Sequence, residues 1–596
     1  MPAKTPNTEP VATTRFRTMV AGGSLKNDCS NAKRGCDFAN MGRMGEIFFT
    51  AGVCMIAAGV CLGADPPASQ VNLATGASIR FGEARVELHV APAGDDAGTG
   101  DASTPLRTVG QAVKIAARQS DLGKDVRIVV HPGIYREEVS VPRHACETPG
   151  VLSIEAGTAG EAVLCGSDAW QDGWSLFRVE DEEWKWFAGD DRFRDARIFR
   201  HDWPHAWEQA ENPWGGSEII LDPVVKRTEM VFMNGIPLRP VAAFGELREG
   251  TFHINTDVKK LYVWPPAGTE PQTALTEVAI RAGVMDTGGR NNVALRGLVF
   301  RQARGATQRA GLLVNGSRNV LVENCRFEWN GWNGTGCANA EDVTYRKCTA
   351  ENNGIGGMGA YQTRNLLIED CVDAHNNWRG RMGGFVNWAN GSKFFSTRRL
   401  TVRRHKAYGN ESCGLWIDYD NRDVLLENVE LKDNLLAGAF LEASQGPILV
   451  RDCTISGNRV GVMDGRSDNV TLVRNRIFNN RDAQVLFSGD PMGRDITEFD
   501  SKTKLRSSSR NWRIEGNTLE TDSRPAFLVQ VARHISDEQW ESIRQEIQVL
   551  KNTYAAPADA VFRVRDKSLT LEEWQRRYHL DQDSRRERGQ ARDGKP

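Results

Sequence analysis

The chain has 596 residues, with 75 lysines and arginines against 77 aspartates and glutamates. This length exceeds what one compact core ordinarily holds, so the sequence predicts several packing units or one elongated repeat. A content of 40% apolar residues excludes a chain that is disordered throughout. A formal net charge of −2 excludes nucleic acid as the main partner, because binding a polyanion requires a basic surface.

Residues 1–64 have the composition of an export signal. An uncharged apolar run, IFFTAGVCMIAAGVCLG, fills residues 47–63 behind Arg43, and Gly63 and Ala64 are small enough for a cleavage site. We therefore expect residues 1–64 to be an N-terminal extension and signal peptide, with the peptide itself at about residues 41–64. The mature protein would then be secreted or periplasmic, with no membrane span. An uncleaved anchor is the alternative, although this apolar run is short for spanning a bilayer.

Residues 86–167 combine strand patterns with Gly-rich turns and one predicted capping helix at 105–118, and they predict the first coils of a repeat. Residues 168–280 break the pattern with short strands, Gly/Pro turns and a cluster of seven tryptophans between residues 170 and 214, which indicates an inserted β-rich domain. The tryptophans are Trp170, Trp174, Trp184, Trp186, Trp203, Trp207 and Trp214. Core packing is the favoured role for them, and stacking on sugars is the alternative.

A short repeat dominates the rest of the chain. The copies are VLVENC at 320–325, VTYRKC at 343–348, LLIEDC at 366–371, LTVRRH at 400–405, VLLENV at 424–429, ILVRDC at 448–453 and VTLVRN at 470–475. Five residues beyond the last residue of each copy stands an asparagine: Asn330, Asn353, Asn376, Asn410, Asn434, Asn458 and Asn480. Self-similarity at this spacing is typical of solenoid proteins.

The number of residues between most successive copies is too small for a strand–helix–strand unit, and alternating apolar residues predict short strands. Coils of a parallel β-helix would stack about 4.8 Å apart. Each buried asparagine could then bond its own turn and the asparagine of the next coil. Cys325, Cys348 and Cys371 would stack inside the core as small apolar residues, with a disulfide or metal site as the alternative. We expect the main parallel β-helix to span residues 281–530.

The end of the chain changes character. Residues 488–510 interrupt the coils, and NWRIEGNTLE at 511–520 resumes them. Ser536 with Gln539, and Thr570 with Glu573, have the spacing of helix capping boxes. We expect residues 531–584 to form a helical cap over the open end of the solenoid, and residues 585–596 to be a disordered tail.

Two acidic residues occupy equivalent positions in neighbouring coils. Counting thirteen residues beyond His405 and Val429 reaches Asp418 and Glu442. Because side chains alternate along a strand, both should face outward. The same count, with a three-residue insertion, predicts two outward columns: Tyr361, Asn387, Asp418 and Glu442, beside Phe385, Trp416 and Phe440.

Carboxylates one coil apart can lie about 5 Å from each other, which is the separation in retaining glycosidases. Mutual repulsion would keep one of them protonated as an acid. The neighbouring aromatic residues would suit the apolar face of a sugar. The simpler alternative is a solvated Asp and Glu on an outer sheet face.

The opening coils resemble the pectate-lyase-like superfamily of right-handed parallel β-helices. The segments GLWIDYDNRDVLLEN at 414–428 and GAFLEAS at 438–444 resemble glycoside hydrolase family 120 β-xylosidases and, in outline, the β-helical family 141 enzymes. That resemblance implies an all-β, right-handed parallel β-helix and a retaining hydrolase acting on a plant or algal type polysaccharide or oligosaccharide. It implies Asp418 as nucleophile and Glu442 as acid/base.

Two other functions stay open on the sequence. A polysaccharide lyase would abstract a proton with Arg379, Arg381 or Lys393, and a non-catalytic β-helix would only bind carbohydrate. We expect no cofactor, with Ca²⁺ held by Asp418, Asp420 and Asp423 as the alternative. His405, at an inward ladder position, is interpreted as a core residue.

Overall fold

The computed structural model describes residues 71–588, apart from residues 81, 83–84, 179–190, 194, 206–221, 228, 306–308, 384–389, 490–491, 523–525 and 558–560. The expected signal peptide lies outside these residues. Within them, no helix is both long and apolar enough to cross a bilayer. Three sheets of thirteen strands each run along the chain, and consecutive coils contribute neighbouring strands to each sheet.

The first sheet is parallel throughout. Its strands, in spatial order, are Arg85–Val90, Asp125–Val130, Leu152–Ala156, Val293–Arg296, Arg318–Glu323, Glu341–Arg346, Arg364–Glu369, Arg398–Arg403, Arg422–Glu427, Ile448–Arg451, Val470–Val473, Trp512–Glu515 and Ile547–Leu550.

The second sheet has short strands that follow the ladder residues. They are Gly133–Tyr135, Ala162–Cys165, Val299–Arg301, Arg326–Glu328, Thr349–Glu351, Val372–Ala374, Lys406–Tyr408, Glu430–Lys432, Thr454–Ser456, Arg476–Phe478, Thr518–Glu520, Thr553–Ala556 and Arg585–Arg588.

The third sheet carries the candidate site, and only its last strand is antiparallel. Its strands are Val139–Ser140, Met285–Asp286, Ala310–Asn315, Asn333–Ala338, Gly356–Tyr361, Asn390–Phe395, Cys413–Asp418, Ala437–Glu442, Val460–Gly465, Ala483–Phe487, Phe527–Val531, Phe562–Val564 and Lys567–Leu569.

Five α-helices lie in the described part of the chain: α1 Val109–Asp121, α2 Pro223–Lys226, α3 Trp378–Met382, α4 Asp537–Arg544 and α5 Leu571–Tyr578. Helix α1 packs its apolar face on the first coils. The predicted capping boxes begin α4 and α5, where the Ser536 and Thr570 hydroxyls accept from the backbone of Gln539 and Glu573.

The asparagine ladder is confirmed. Each of the seven side chains is at most 1% exposed. The Oδ1 of Asn353 accepts from both the backbone and the side-chain N–H of Asn330, at 3.0 and 3.1 Å, and this pattern repeats upward to Asn480. Gln484 ends the ladder by accepting from Asn480.

The interior of the solenoid is apolar and includes the stacked cysteines. Cys325, Cys348 and Cys371 are at most 1% exposed and unpaired, as the core interpretation predicted. His405 continues their column, fully buried, and burial lowers its pKa to about 4. It is therefore a neutral core residue near pH 7.

The interruption between the early and main coils contains two separate sheets. One comprises Ile236–Pro237, Val231–Met233, Thr276–Ala279 and Ser167–Ala169; the other comprises Arg239–Pro240, Thr251–Asn255, Lys260–Trp264, Phe199–Asp202 and Ser175–Leu176. Short 3₁₀ helices occupy Asp191–Phe193 and Phe244–Glu246. Trp174 and Trp203 are buried in the shared core, whereas Trp184, Trp186, Trp207 and Trp214 lie outside the described residues.

The C-terminal region differs from the prediction. Residues 531–584 hold two helices, but strands after residue 530 also continue all three sheets, so the solenoid does not stop there. Residues 585–588 pair with Thr553–Ala556 as a strand, so the prediction of disorder from residue 585 was wrong for them. The reason is that the exposed edge of the second sheet offers unpaired backbone groups, which this segment satisfies.

An extended amino-terminal segment, residues 72–78, crosses the first sheet from coil to coil. Its backbone N–H groups donate to one polar side chain per coil: Asp423, Thr401, Asn365, Thr344 and Asn319. We call residues 72–78 the strap.

We expect Asn434→Ala to lower the free energy of unfolding by roughly 1–3 kcal/mol, because Asn410 loses its acceptor and buried backbone groups lose partners. Chemical denaturation measures this change. Lys432→Ala is the matched control, since Lys432 is exposed and its ion pair among the described residues is with exposed Asp433. Equal stability of the two variants would contradict a stabilising role for the ladder.

Candidate functional site

Asp418 and Glu442 are the last residues of adjacent third-sheet strands. The two strands pair residue by residue, with Asp418 directly opposite Glu442. Leu415 and Ile417 of the first strand are fully buried inside the solenoid, so alternation turns Asp418 to the outer face. The predicted register of the pair is what the structure has.

The preceding coil does not have the predicted register. Lys393 pairs with Trp416, and Phe395 pairs with Asp418, so these residues hold the positions expected for Phe385 and Asn387. Phe385 and Asn387 themselves lie outside the described residues. The error arises because all the extra residues of this long coil, including α3, precede the strand Asn390–Phe395.

Two cations contact the carboxylates. Lys393 Nζ lies 2.8 Å from Asp418 Oδ2, and Arg494 Nη1 lies 2.7 Å from Glu442 Oε1. The same Arg494 nitrogen is 3.9 Å from Asp418 Oδ1, so the two carboxylate oxygens are no more than about 6.6 Å apart. That limit admits the separation of about 5–5.5 Å that retaining pairs have.

The two carboxylates are covered unequally. Asp418 is only 4% exposed, whereas the sequence predicts that it faces solvent, and its Oδ1 has no hydrogen-bond partner among the described residues. This oxygen is free to form a bond with a ligand. The side chain of Glu442 is 18% exposed and accepts from the indole N–H of Trp416 at 3.1 Å.

Burial, and then the charge of Asp418, raise the pKa of Glu442 to about 7. Arg494, Lys393 and the Trp416 hydrogen bond act in the opposite direction. Glu442 is therefore able to hold a proton near neutral pH while its neighbour is paired with a lysine. This division of roles is what acid/base chemistry with a carboxylate pair requires.

The predicted aromatic column has a different use from the one expected. Trp416 is 3% exposed, and Lys393 Nζ sits 3.9 Å from its ring centroid, so it does not offer an open face. Phe440 is half-buried and packs against Trp416 with centroids 4.9 Å apart. A Cβ at Gly465 would lie 2.6 Å from the Phe440 ring, so glycine there makes room for that ring.

A second aromatic row leads up to Asp418. Tyr361 is 38% exposed and stacks on Phe395 at 5.5 Å, and Phe395 stacks on Tyr419 at 4.9 Å with an interplanar angle of 9°. Tyr361 was predicted; Phe395 and Tyr419 were not. Counting back from Asp418 by the step between the first two copies of the repeat, instead of forward across the insertion, would have found Phe395 and Lys393.

Arg494 reaches the site from an excursion much later in the chain. Within the interruption at 488–510, the described residues leave the solenoid and form a hairpin of Arg494–Thr497 and Lys504–Ser507. We call residues 494–507 the hairpin. Sequence reasoning identified the interruption but not its target, because nothing periodic links it to the earlier coils.

The hairpin is held down by an ion-pair cluster. Arg398 contacts Asp420 at 2.7 Å, Glu498 at 3.3 Å and Asp500 at 2.6 Å. The Tyr419 hydroxyl accepts from the Thr497 backbone at 2.7 Å. These contacts fix the backbone that carries Arg494 over the carboxylates.

The excursion is also fixed where it leaves the solenoid. Asp464 is fully buried, accepts from the Ser509 hydroxyl and the Gly489 backbone, and has a pKa that burial raises to about 6. Asp468 accepts from the backbone N–H groups of Ser508 and Arg510. Both ends of the excursion are thus bound to one coil.

The structure separates the residues considered for lyase chemistry. Arg379 is fully buried and donates to the backbone carbonyls of Val224 and Glu229, which joins α3 to the inserted region. Arg381 lies 3.7 Å from Glu411 in a largely exposed pair. Of the three, Lys393 alone touches the carboxylates.

The carboxylates considered for Ca²⁺ take different partners. Asp418 pairs with Lys393, Asp420 pairs with Arg398, and Asp423 accepts from Asn72. In the described part of the chain, no group of three His, Cys, Asp or Glu side chains is arranged to hold a metal.

The raised pKa of Glu442 predicts a pH-dependent stability. Its protonated form is favoured in the folded state, so this contribution is complete below about pH 4.5 and is lost as the pH rises through about 7. We expect the wild type to lose on the order of 1–3 kcal/mol relative to Glu442→Gln over that interval. Urea unfolding at a series of pH values measures the difference. Glu430→Gln, at a partly exposed glutamate outside the site, is the control. If the difference in unfolding free energy between the wild type and Glu442→Gln did not change with pH, the raised pKa would be contradicted.

Comparison with known proteins agrees with the observed fold. The family described as "Right handed beta helix region" matches residues 281–416, 310–477 and 396–553. A search of curated proteins found no match. The solved structure of XylC with xylose is similar with a TM-score of 0.60 at 15% identity, covering 86% of this chain and 87% of XylC.

Two further solved structures are similar at lower TM-scores. The A-module of the Azotobacter vinelandii mannuronan C-5 epimerase AlgE4 has a TM-score of 0.45 at 14% identity, covering 84% of this chain and 100% of that one. The GH136 lacto-N-biosidase from Eubacterium ramulus has a TM-score of 0.37 at 10% identity, covering 85% and 68%. From its three stacked sheets and the family match, the chain is a right-handed parallel β-helix protein.

Proposed function

We propose that this protein is a glycoside hydrolase that retains the configuration of the anomeric carbon. The observation that carries the proposal is the direct pairing of Asp418 with Glu442, with oxygens within about 6.6 Å of each other and a pKa raised to about 7 on Glu442. The carbohydrate class is supported by the similarity to XylC, whose structure contains xylose.

Asp418 serves as the nucleophile. Lys393 holds its Oδ2, and Oδ1, which accepts no hydrogen bond from the described residues, is the oxygen available for attack. The bond from Oδ1 to the anomeric carbon forms as the bond from that carbon to the leaving oxygen breaks. The product of this step is a glycosyl ester on Asp418.

Glu442 serves as the acid and then as the base. Its proton passes to the leaving oxygen in the first step, and its carboxylate takes a proton from water in the second step. The water oxygen bonds to the anomeric carbon, the ester bond to Asp418 breaks, and Glu442 regains its proton. Burial of most of its side chain raises the pKa of this carboxyl, and the Trp416 indole N–H donates a hydrogen bond to it.

Arg494 lies beside both carboxylates, so a sugar that reaches Asp418 Oδ1 displaces its guanidinium. The stacked row of Tyr361, Phe395 and Tyr419 is the surface next to Asp418 that suits the apolar face of a sugar. We place the substrate between this row and Glu442.

Substitution of the two carboxylates tests the assignment. Asp418→Asn should reduce kcat by about a thousandfold or more on every substrate, because the nucleophile is lost. Glu442→Gln should slow natural glycosides strongly and activated aryl glycosides little in the first step, because only the former need a proton on the leaving oxygen. Kinetics on both substrate types, with product anomers followed by NMR, measure these effects.

Asp433→Asn, at an exposed carboxylate outside the site, is the control and should behave as wild type. Full activity of Asp418→Asn, or an initially inverted product, would contradict the mechanism. Incubation with a glycan panel separates the reaction classes: hydrolysis yields new reducing ends without unsaturated-sugar absorbance, a lyase yields both, and a binding protein yields neither.

We also propose that the protein is exported, on the strength of the apolar run at residues 47–63. Mass spectrometry of protein isolated from cells should find a mature N-terminus near Asp65, a few residues before the strap. Protein that retains Met1 or Met41 would contradict cleavage.

A further inference from the structure

We propose that the sugar bound at this site carries a carboxylate, as a uronate does, and that Arg494 is the residue that selects it. This inference rests on the proposed glycoside hydrolase function and adds the substrate class to it. Three observations support it: the charges at the site, the N–H groups of Arg494 that no described side chain binds, and the way the hairpin holds Arg494.

The charges at the site balance only while both carboxylates are ionised. Lys393 pairs with Asp418 at 2.8 Å, and Arg494 pairs with Glu442 at 2.7 Å. Catalysis requires Glu442 to carry a proton, which removes the negative charge facing Arg494 and leaves the Lys393 pair intact. Among these four described side chains, the catalytically competent state therefore carries one excess positive charge, located at Arg494.

Most N–H groups of the Arg494 guanidinium make no hydrogen bond to a described side chain. Within the described part of the chain, its hydrogen bond to a side chain uses Nη1 alone, and its side chain is 36% exposed. A guanidinium carries five N–H groups in a planar fork that matches a carboxylate with two parallel bonds. Because Arg494 already binds the carboxylate of Glu442 in the free protein, a substrate carboxylate would replace a partner of the same shape and charge.

The way the hairpin holds Arg494 allows its guanidinium to exchange Glu442 for a substrate carboxylate. The hairpin backbone is fixed by the Arg398 cluster and by the Tyr419 hydroxyl, while the Arg494 guanidinium lies 5.5 Å from the Tyr419 ring centroid. The side chain can thus turn from Glu442 to a ligand above the aromatic row without moving the hairpin. The same movement uncovers Asp418 Oδ1, so recognition of the substrate carboxylate and exposure of the nucleophile are one event.

The test compares sugars that differ only at C6. Calorimetry at about pH 6 compares glucuronate with glucose and galacturonate with galactose. In one or both of these pairs, the uronate should bind at least about tenfold more tightly than its neutral partner. Salt should shrink the advantage, because it depends on charge. Arg494→Gln should reduce it to less than about threefold, Arg494→Lys should keep part of it, and Lys504→Gln, an exposed cation of the same hairpin, should leave it unchanged.

The nitrophenyl glycosides of the same pairs should give the same ratios in kcat/KM, with thermal melts confirming that each variant is folded. Cleavage of neutral glycosides without a uronide preference, or a preference that survives Arg494→Gln, would overturn the selection by Arg494 and leave the hydrolase intact. Uronate-selective binding that depends on Arg494, without cleavage of any glycoside, would support the charge recognition and overturn the proposed function.

Discussion

Coil-to-coil registry, imposed by the buried asparagine ladder, is the constraint on which the site depends. From Asn353 to Asn480, each ladder oxygen accepts two hydrogen bonds from the asparagine of the preceding coil, and no ladder side chain is more than 1% exposed. A slip of one residue would leave buried donors and acceptors unpaired on every coil it crossed. The ladder thereby fixes which residues of successive third-sheet strands lie opposite each other, including Asp418 and Glu442.

Registry brings like charges together, and the surrounding structure compensates for the repulsion. Lys393 comes from the adjacent strand of the same sheet, whereas Arg494 comes from the hairpin inserted more than two coils later. The compensation is incomplete at Glu442, where burial and Asp418 outweigh both cations. A carboxyl group that is readily protonated near neutral pH is the result.

The sequence predicts local and periodic features well. The strands, the asparagine ladder, the cysteine column, the paired carboxylates and the interruption at 488–510 all follow from alternation and spacing. The sequence does not predict the register of Lys393 and Phe395. The long step from Cys371 to His405 shows that this coil contains additional residues, but it does not show at which point of the coil they are inserted. Arg494 was missed because its contact with Glu442 joins segments that share no period.

The Asp418 environment illustrates the same limit. Alternation correctly predicts that this residue points outward, but it does not determine whether the side chain is exposed. The structure buries it to 4% exposure, because the hairpin and Lys393 cover the outer face. Alternation along a strand describes the direction of a side chain relative to the solenoid, but burial also depends on what folds back over it.

The strap changes how this solenoid can open. In an ideal repeat protein each coil touches only its neighbours, so coils can fray from an end one at a time. Residues 72–78 instead bond to five successive coils, from Asn319 to Asp423, and the hairpin bonds the carboxylate coils to the coil of Asp464. Together they join the coils around the site into one cooperative block. Loss of the terminal coils beyond that block would leave the site assembled, whereas detachment of either tie would loosen several coils at once.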